Sequence, residues 1–258
     1  MRYLNDLSFS RGRLNRTISP RDSMRNPRYP EQYYDLGARA LDLVLFASQL
    51  CAKPHFPRIL DLPCGYGRVL RWLRAHFDYA DITACDLDQA AIDFCAREFQ
   101  VNPVVSQPDL RRLEFARPFD LIWVGSLFTH LRREAWLAAL ECLIHWTAED
   151  GILVFSTHGR CFTSLLARGR RDIADDVDVR ALIAEYGADG FSFQPYYASS
   201  DGTYGVSATS SSWVHAQLAQ YPDVILRAHL EEAWGLQDVY ILYKAAGYYE
   251  RLTPPHPS

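Results

Sequence analysis

Two acidic residues end two apolar stretches of the chain, and a turn with two glycines lies between them. Asp61 follows the stretch Arg-Ile-Leu, Gly65 and Gly67 come next, and Asp86 ends the second stretch. An apolar run that breaks at glycines and continues as a helical pattern predicts a strand, a turn and a helix. Because ligands of open α/β sheets bind beyond the carboxyl ends of the strands, we expect a ligand beside this turn.

The turn lacks residues that the common phosphate-binding motifs require. The dinucleotide motif G-x-G-x-x-G ends on a third glycine, where this chain has Leu70. A P-loop places Gly-Lys before Ser or Thr, and no Lys follows Gly65 or Gly67. Two acids beside the turn favour instead a ligand with a cationic amino-acid portion and a ribose, whose hydroxyls Asp86 can bind.

Strand and helix patterns alternate along the middle of the chain. The strand patterns cover residues 58–61, 81–86, 102–106, 119–126 and 152–157, and helical patterns precede, separate and follow them. This alternation predicts the α/β class with a Rossmann-like, doubly wound, mostly parallel sheet. Two further apolar stretches, 224–230 and 238–244, predict an antiparallel closing strand pair, which makes the sheet seven-stranded.

The chain is predicted to consist of an arm and one domain. Residues 1–27 show no sustained period and are basic, with seven Arg against two Asp up to residue 28, so we expect a flexible basic arm. Residues 28–258 are predicted to form a single domain, with an inserted lid at about 160–220 whose second half is rich in aromatic residues, Gly and Ser.

Composition excludes several classes of protein. A net charge of −4 and a pI of about 6.1 do not indicate a nucleic-acid partner. Six cysteines without a C-x-x-C pair predict reduced thiols, with neither a disulfide framework nor a metal site. The sequence contains no apolar run of the ~20 residues that span a bilayer and no hydrophobic core of a secretory signal. We therefore expect a cytoplasmic protein without a membrane partner.

Four strand-end motifs together resemble a known family. The segments "ILDLPCGYGR", "ITACDLD", "FDLIWVGSLFTHL" and "GILVFST" are similar, in this order, to the class I S-adenosylmethionine-dependent methyltransferases. The glycine turn of that family is commonly Asp/Glu-x-Gly-x-Gly-x-Gly. Asp61, Gly65 and Gly67 match this motif, whereas Pro63 replaces its first glycine. The resemblance covers about residues 56–157 and, less specifically, the last apolar stretch.

The resemblance implies S-adenosylmethionine as the cofactor and S-adenosylhomocysteine as the product. It implies that Asp61 and the backbone near Cys64 hold the amino-acid end of the cofactor and that Asp86 binds the ribose hydroxyls. The cofactor-binding candidates are Asp61, Pro63, Cys64, Gly65, Tyr66, Gly67, Asp86, Leu87 against the adenine, Ser106 and Asp109 at the adenine edge, Gly125 and Ser126 beside the sulfonium, and Tyr34 from the first helix.

The expected reaction is methyl transfer to an oxygen atom of a small molecule or a sugar. A hydroxyl acceptor benefits from a general base whose pKa lies near the working pH, which favours His. His130 follows the fourth strand and His158 follows the fifth, so both are predicted at the carboxyl edge, with His130 as the preferred base. Tyr204 and His215 are weaker candidates from the lid.

Two other functions stay open at this point. One is a non-catalytic protein that binds S-adenosylmethionine and works through a partner. The other is an NAD(P)-dependent oxidoreductase of the Rossmann type, for which the only Tyr-x-x-x-Lys pair, Tyr240 and Lys244, lies in a strand pattern. No proline motif of nucleobase methyltransferases follows the fourth strand. The sequence does not specify the small-molecule or glycan acceptor or the oligomeric state.

Overall fold

A seven-stranded sheet forms the centre of the protein in the computed structural model, which describes residues 3–199 and 201–245. The strands are β1 (Arg58–Asp61), β2 (Asp81–Asp86), β3 (Asn102–Val105), β4 (Phe119–Val124), β5 (Thr147–His158), β6 (Phe191–Pro195), β7 (Gly205–Thr209), β8 (Val224–Trp234) and β9 (Gln237–Lys244). The helices are α1 (Ser8–Gly12), α2 (Pro30–Leu50), α3 (Leu70–His76), α4 (Gln89–Phe99), α5 (Arg133–Trp146), α6 (Arg160–Ala167), α7 (Val179–Asp189) and α8 (Ser211–Leu218).

The strand order confirms the predicted topology. The order is β3-β2-β1-β4-β5-β9-β8, with β1 to β5 parallel and β9 antiparallel to both of its neighbours. The direction of winding reverses between β1 and β4. The loops that follow these two strands therefore separate at the carboxyl edge, which leaves a crevice there.

The sheet is buried on both faces, as its apolar strands require. Trp123 of β4 packs on the face covered by α2, α3 and α4, whereas Ile122 packs on the face covered by α5 and α8. This two-sided burial explains why β4 is an almost continuous apolar run. The helices turn their apolar faces to the sheet, and none in the described part of the chain is both long and apolar enough to cross a membrane.

The predicted lid has a core of its own and an unexpected hairpin. Helices α6 and α7 pack against the antiparallel pair β6–β7. The free edge of β7 lies along the loop after β4: the Ser207 amide donates to the Thr129 carbonyl at 2.8 Å, and its hydroxyl donates to the Phe128 carbonyl at 2.7 Å. The lid is therefore attached to the carboxyl edge of the sheet. The two strands were not predicted because each has only five residues, so that the alternation of apolar and polar residues is too short to be distinguished from a loop.

The predicted arm, residues 1–27, packs on the domain where it is described. The backbone amides of Leu4 and Asn5 each donate to the Asp42 carboxylate of α2 at 2.8 Å, and Leu7 is buried in the main core. This differs from a free, solvated arm. The physical reason is that polar groups of the arm find hydrogen-bond partners on α2, α3 and α4, which a search for periodicity does not detect. The division at residue 27 stays a prediction.

Two glycines of the turn allow the local geometry to be tested. Gly65 and Gly67 have φ values of +49° and +80°, but a Cβ would meet open space at Gly65 and the Phe99 ring at Gly67. We expect Gly65→Ala to lower the free energy of unfolding by about 1–2 kcal/mol, the cost of the left-handed conformation. Gly67→Ala should lose a further ~1–3 kcal/mol through overpacking. Equilibrium urea unfolding measures both, and equal losses would contradict this local packing.

Candidate functional site

The glycine turn is joined to the end of β2 by the side chain of Asp86. The Gly65 amide donates to Oδ2 of Asp86 at 2.8 Å, and the Asp88 amide donates to Oδ1 at 3.0 Å. Each carboxylate oxygen has a second lone pair, so the half-buried Asp86 can still accept two hydroxyl groups. The position of the carboxylate is fixed by backbone groups before any ligand arrives.

Asp61, at the end of β1, has an unsatisfied oxygen in the described structure. Its side chain is 1% exposed, and Oδ2 has no hydrogen-bond partner among residues 3–199 and 201–245. Burial, together with the charge of Asp86, raises the pKa of Asp61 well above its usual range, while Arg68 acts in the opposite direction. A buried carboxylate of this kind is stabilised by a cationic group that donates a hydrogen bond to it.

Arg68 is a functional candidate that the sequence analysis missed. Its guanidinium lies over the Trp234 ring, 5.6 Å from the centroid, and in the described structure it makes neither a hydrogen bond nor an ion pair. Burial lowers its pKa, and the charges of Tyr33, Asp22 and Asp61 raise it. No motif marks this Arg, because its role follows from the fold around it.

Asp61 and Arg68 are an acidic and a basic group, and neither has an ion-pair partner in the described structure. They are close enough for each to shift the pKa of the other, yet they do not form an ion pair. A ligand end that carries both an ammonium and a carboxylate would satisfy both, with the ammonium on Asp61 and the carboxylate on Arg68. An α-amino-acid group has this charge pattern, so the residues present fit the amino-acid end of S-adenosylmethionine.

The other predicted residues of the turn shape its backbone. Pro63 is half-buried between Asp61 and the glycines, and the hydroxyl of Tyr66 donates to Asp88 at 3.1 Å. The thiols of Cys64 and Cys95 both donate to the Gly65 carbonyl, at 3.4 and 3.3 Å. Both thiols are buried, and these hydrogen bonds help to hold the turn.

Two of the three predicted adenine-binding residues lie beside Asp86, and the third lies in a turn where its carboxylate is already hydrogen-bonded. Leu87 is 59% exposed beside Asp86, a position from which it can cover a ring. The amide of the buried Ser106 donates to the Asp86 carbonyl at 2.8 Å, which places this residue at the same edge. Asp109 instead caps the 3₁₀ helix Leu110–Arg112 and accepts from Nε of Arg111 at 2.8 Å. Its carboxylate is thus already engaged, and the pKa of Asp109 is lowered by that hydrogen bond.

Gly125 and Ser126 follow β4 at the centre of the crevice. A Cβ at Gly125 would overlap the Trp234 and Trp123 rings, so the backbone passes close to both. The Ser126 amide donates to the Ser156 hydroxyl at 2.9 Å, and its own hydroxyl accepts from Gln237 at 2.8 Å. This polar contact joins the loop after β4 to β5 and β9. Gln237 was not anticipated, because it lies far along the chain.

The two tyrosines of α2 face the arm. Tyr34, the predicted ligand, donates its hydroxyl to the Arg16 carbonyl at 2.8 Å. Tyr33 is buried and donates to Asp22 at 2.6 Å, and both groups act to raise the pKa of Arg68. Tyr33 is therefore the one of the two with a described electrostatic link to the amino-acid subsite.

His130 is oriented by the lid. Its Nδ1 lies 2.8 Å from the Gly205 carbonyl of β7, and because a carbonyl only accepts, Nδ1 carries the proton. This leaves the lone pair on Nε2. Burial lowers the pKa of His130, an effect that the hydrogen bond to Gly205 partly offsets, so the ring is neutral near pH 7. The Tyr204 ring stacks on it with centroids 4.9 Å apart.

His158, at the end of β5, is oriented by β7 in the same way as His130. Its Nδ1 donates to the Ser207 carbonyl at 3.1 Å, and its ring stacks on Phe162 with centroids 3.7 Å apart. Removal from water, reinforced by His130, lowers the pKa of His158 to about 3. Both histidines thus donate to alternate carbonyls of β7 and keep Nε2 free of a proton. The structure brings the two predicted bases together.

Of the two weaker candidates from the lid, Tyr204 lies beside His130 and His215 does not. Tyr204 is 54% exposed beside His130, and the charge of Asp86 contributes to its raised pKa after burial. The Tyr196 hydroxyl, not considered from sequence, lies 3.3 Å from Nδ1 of His130. His215 lies elsewhere, with its ring 6.0 Å from that of His229. The aromatic candidates near His130 therefore come from both ends of the β6–β7 connection.

Part of the chain is similar to known methyltransferases. A family model described as a methyltransferase domain matches residues 59–151. The chain is 34% identical over 108 residues to the malonyl-(acyl-carrier protein) O-methyltransferase of Bacillus anthracis. That stretch is 40% of this chain and 38% of the relative, so the chain spans well under half the length of this curated relative.

Solved structures share the fold at low identity. A S-adenosylmethionine-dependent methyltransferase from Clostridium acetobutylicum matches with a TM-score of 0.56 and 13% identity, over 83% of this chain and 92% of that one. The plantazolicin methyltransferase BpumL, solved with S-adenosylhomocysteine, matches with a TM-score of 0.54 and 16% identity, over 82% and 84%. At such identities the likeness establishes the fold.

The depressed pKa of His158 predicts a pH dependence of stability. The unfolded chain takes up this proton near pH 6.5, whereas the folded protein takes it up only near pH 3. Stability is therefore complete above pH 6.5 and falls as the pH drops from 6.5 towards 3, by up to about 1.4 kcal/mol per pH unit from this group. Urea unfolding at several pH values should show a shallower decline for His158→Gln. Parallel curves for the two proteins would contradict a neutral His158.

Proposed function

We propose that this protein, whose residues 59–151 form a methyltransferase domain of the class I S-adenosylmethionine-dependent superfamily, transfers a methyl group from S-adenosylmethionine to an oxygen atom of a small-molecule acceptor. The observation that carries the proposal is that the acidic Asp61 and the basic Arg68 lie near each other without ion-pair partners, and that Oδ2 of Asp61 is buried without a hydrogen bond. A dinucleotide has no zwitterionic end that would need both of them.

The cofactor assignments follow from the contacts of each residue. Asp61 accepts the α-ammonium group and Arg68 donates to the α-carboxylate. Asp86 accepts the ribose hydroxyls on the lone pairs that the Gly65 and Asp88 amides leave free. Leu87 covers the adenine and Ser106 lies at its edge, whereas Asp109 stays in its surface turn. Gly125 and Ser126 line the crevice near the sulfonium.

His130 is the proposed general base. When bound, S-adenosylmethionine supplies an electrophilic methyl group, and the protein must align an acceptor lone pair with it. His130 is suited to the task because its proton is fixed on Nδ1 by the Gly205 carbonyl, which leaves Nε2 to accept the acceptor's proton. Its lowered pKa keeps Nε2 free at neutral pH. His158, with a pKa of about 3, is the weaker base and helps to orient the acceptor.

The surroundings of the two histidines favour an uncharged hydroxyl as the acceptor. Besides burial, the groups that shift their pKa values are the Gly205 carbonyl for His130 and the His130 ring and Ser207 carbonyl for His158, with no Arg or Lys among them in the described structure. An acceptor carboxylate would find no counter-charge there, whereas a hydroxyl meets a base in Nε2 and an aromatic surface in Tyr204. A phenol, an alcohol or a sugar hydroxyl fits this environment.

The remaining assignments are proposals of the same kind. We assign residues 28–258 to one catalytic domain, with 160–220 as the lid over the acceptor. The histidines' hydrogen bonds to β7 support this role of the lid. Six cysteines without a disulfide are in keeping with action in the cytoplasm.

Two measurements on the intact chain test the proposal. Calorimetry should show binding of S-adenosylhomocysteine and no comparable binding of NADH. With methyl-labelled S-adenosylmethionine and a panel of hydroxylated small molecules and sugars, an acceptor should release S-adenosylhomocysteine. With that acceptor, His130→Ala should lower kcat by roughly 10²–10⁴-fold and leave the affinity for S-adenosylhomocysteine nearly unchanged.

The pH profile and a matched histidine make this test specific. Because the pKa of His130 is lowered, activity should be complete at neutral pH and fall on the acid side with a midpoint below pH 6.5. His145→Ala, on the exposed surface of α5, should retain full turnover. Tight NADH binding without a response to S-adenosylhomocysteine would reject the proposed cofactor. Wild-type turnover by His130→Ala would reject the proposed base.

A further inference from the structure

Arg71 of α3 is a fully buried cation whose guanidinium donates only to neutral oxygen atoms. It is 1% exposed. Nε donates to the Gly67 carbonyl at 2.9 Å and NH2 to the Tyr66 carbonyl at 3.3 Å. NH1 donates to the carbonyls of Asn15 and Thr17 at 3.0 and 2.9 Å. One side chain therefore joins the glycine turn of the cofactor site to the amino-terminal arm.

A second path connects the same elements through a tyrosine. NH2 of Arg71 also donates to the Tyr33 hydroxyl at 3.2 Å, and this hydroxyl donates to the buried carboxylate of Asp22 at 2.6 Å. Asp22 and Tyr33 in turn raise the pKa of Arg68. Asp22 of the arm thus adds an acidic group to the Arg71 network, and it acts on the residue proposed to bind the cofactor carboxylate.

Breaking only some of the hydrogen bonds of the buried Arg71 guanidinium is energetically unfavourable. A guanidinium buried with unmet donors is strongly destabilising, so Arg71 keeps both the turn carbonyls and the arm carbonyls or must rearrange both. Undocking of residues 15–22 would leave NH1 of Arg71 without its two acceptors and would therefore favour a rearrangement of the turn. Conversely, a ligand that orders the turn favours docking of these residues.

From this we infer that Arg71 is a positioning residue that couples docking of arm residues 15–22 to cofactor binding. The inference rests on the proposed function for the identity of the cofactor. It goes beyond that function because it assigns the arm a part in binding and names the side chain that transmits it. By reciprocity, the factor by which a docked arm tightens cofactor binding is also the factor by which cofactor favours docking.

Arg74 provides a matched control on the same helix. It also donates to a set of backbone carbonyls, namely those of Phe99, Phe77, Asp78, Ala80 and Gln100, and in the described structure none belongs to the arm or to the glycine turn. Arg71→Lys and Arg74→Lys therefore make the same chemical change in the same helix. Tyr33→Phe is a milder variant that keeps the ring and removes the bridge to Asp22.

The experiment combines calorimetry with S-adenosylhomocysteine and hydrogen exchange of the backbone amides of residues 13–22. In the wild type, S-adenosylhomocysteine should slow exchange in this segment. Arg71→Lys should weaken binding at least about tenfold and abolish the protection. Arg74→Lys should alter neither beyond about twofold, and Tyr33→Phe should fall between the two.

The outcomes separate this inference from the proposed function. No binding of S-adenosylhomocysteine by the wild type would overturn the proposed cofactor. Binding without a change in arm exchange would overturn the coupling alone. Equal effects of Arg71→Lys and Arg74→Lys would mean that Arg71 only stabilises the fold. If Arg71→Lys does not fold, an unchanged affinity and protection in Tyr33→Phe would overturn the coupling.

Discussion

The site depends on one constraint: the acidic Asp61 and the basic Arg68 lie at the same crevice and do not pair with each other. The end of β1 fixes Asp61, and Trp234 supports the guanidinium of Arg68. A direct ion pair would satisfy both groups and leave little for a ligand to gain. Held apart, each charge is stabilised by a ligand of the complementary charge. The binding energy is therefore prepared by the fold before the ligand arrives.

The two histidines proposed to act on the acceptor depend on a second element, the predicted lid that contains β7. The parallel sheet brings His130 and His158 to its carboxyl edge, but the Gly205 and Ser207 carbonyls of β7 decide which nitrogen carries the proton. Without these carbonyls either tautomer could form, and Nε2 would not be reserved for an acceptor. The proposed cofactor side of the site thus follows from the sheet, whereas the proposed acceptor side is completed by the predicted lid. This division explains how related domains can share a cofactor and differ in acceptor.

Much of the fold could be predicted because its signals are local. The apolar run of β4 and the Asp88 cap of α4 are each visible within a few residues, and the alternation of such strand and helix signals predicts a doubly wound, mostly parallel sheet. Asp61 and Asp86 could be predicted for the same reason, since each ends a strand. Arg68 and Gln237 could not, because their partners lie far away in the chain and leave no pattern in the sequence. For residues 1–27 the sequence predicted only a flexible arm, because the hydrogen bonds that Arg71 donates to Asn15 and Thr17 leave no period in the sequence.

The central claim is that Asp61 and Arg68 bind a zwitterionic end, and the most direct test compares two ligands that differ only there. S-Adenosylhomocysteine has this end, whereas 5′-methylthioadenosine lacks it. Calorimetry should show that the wild type binds the first at least about tenfold more tightly, the scale of hydrogen bonds to charged groups. Arg68→Gln should reduce this ratio, and Arg97→Gln, at an exposed position on α4, should preserve it. Equal affinities of the wild type for both ligands would contradict the account.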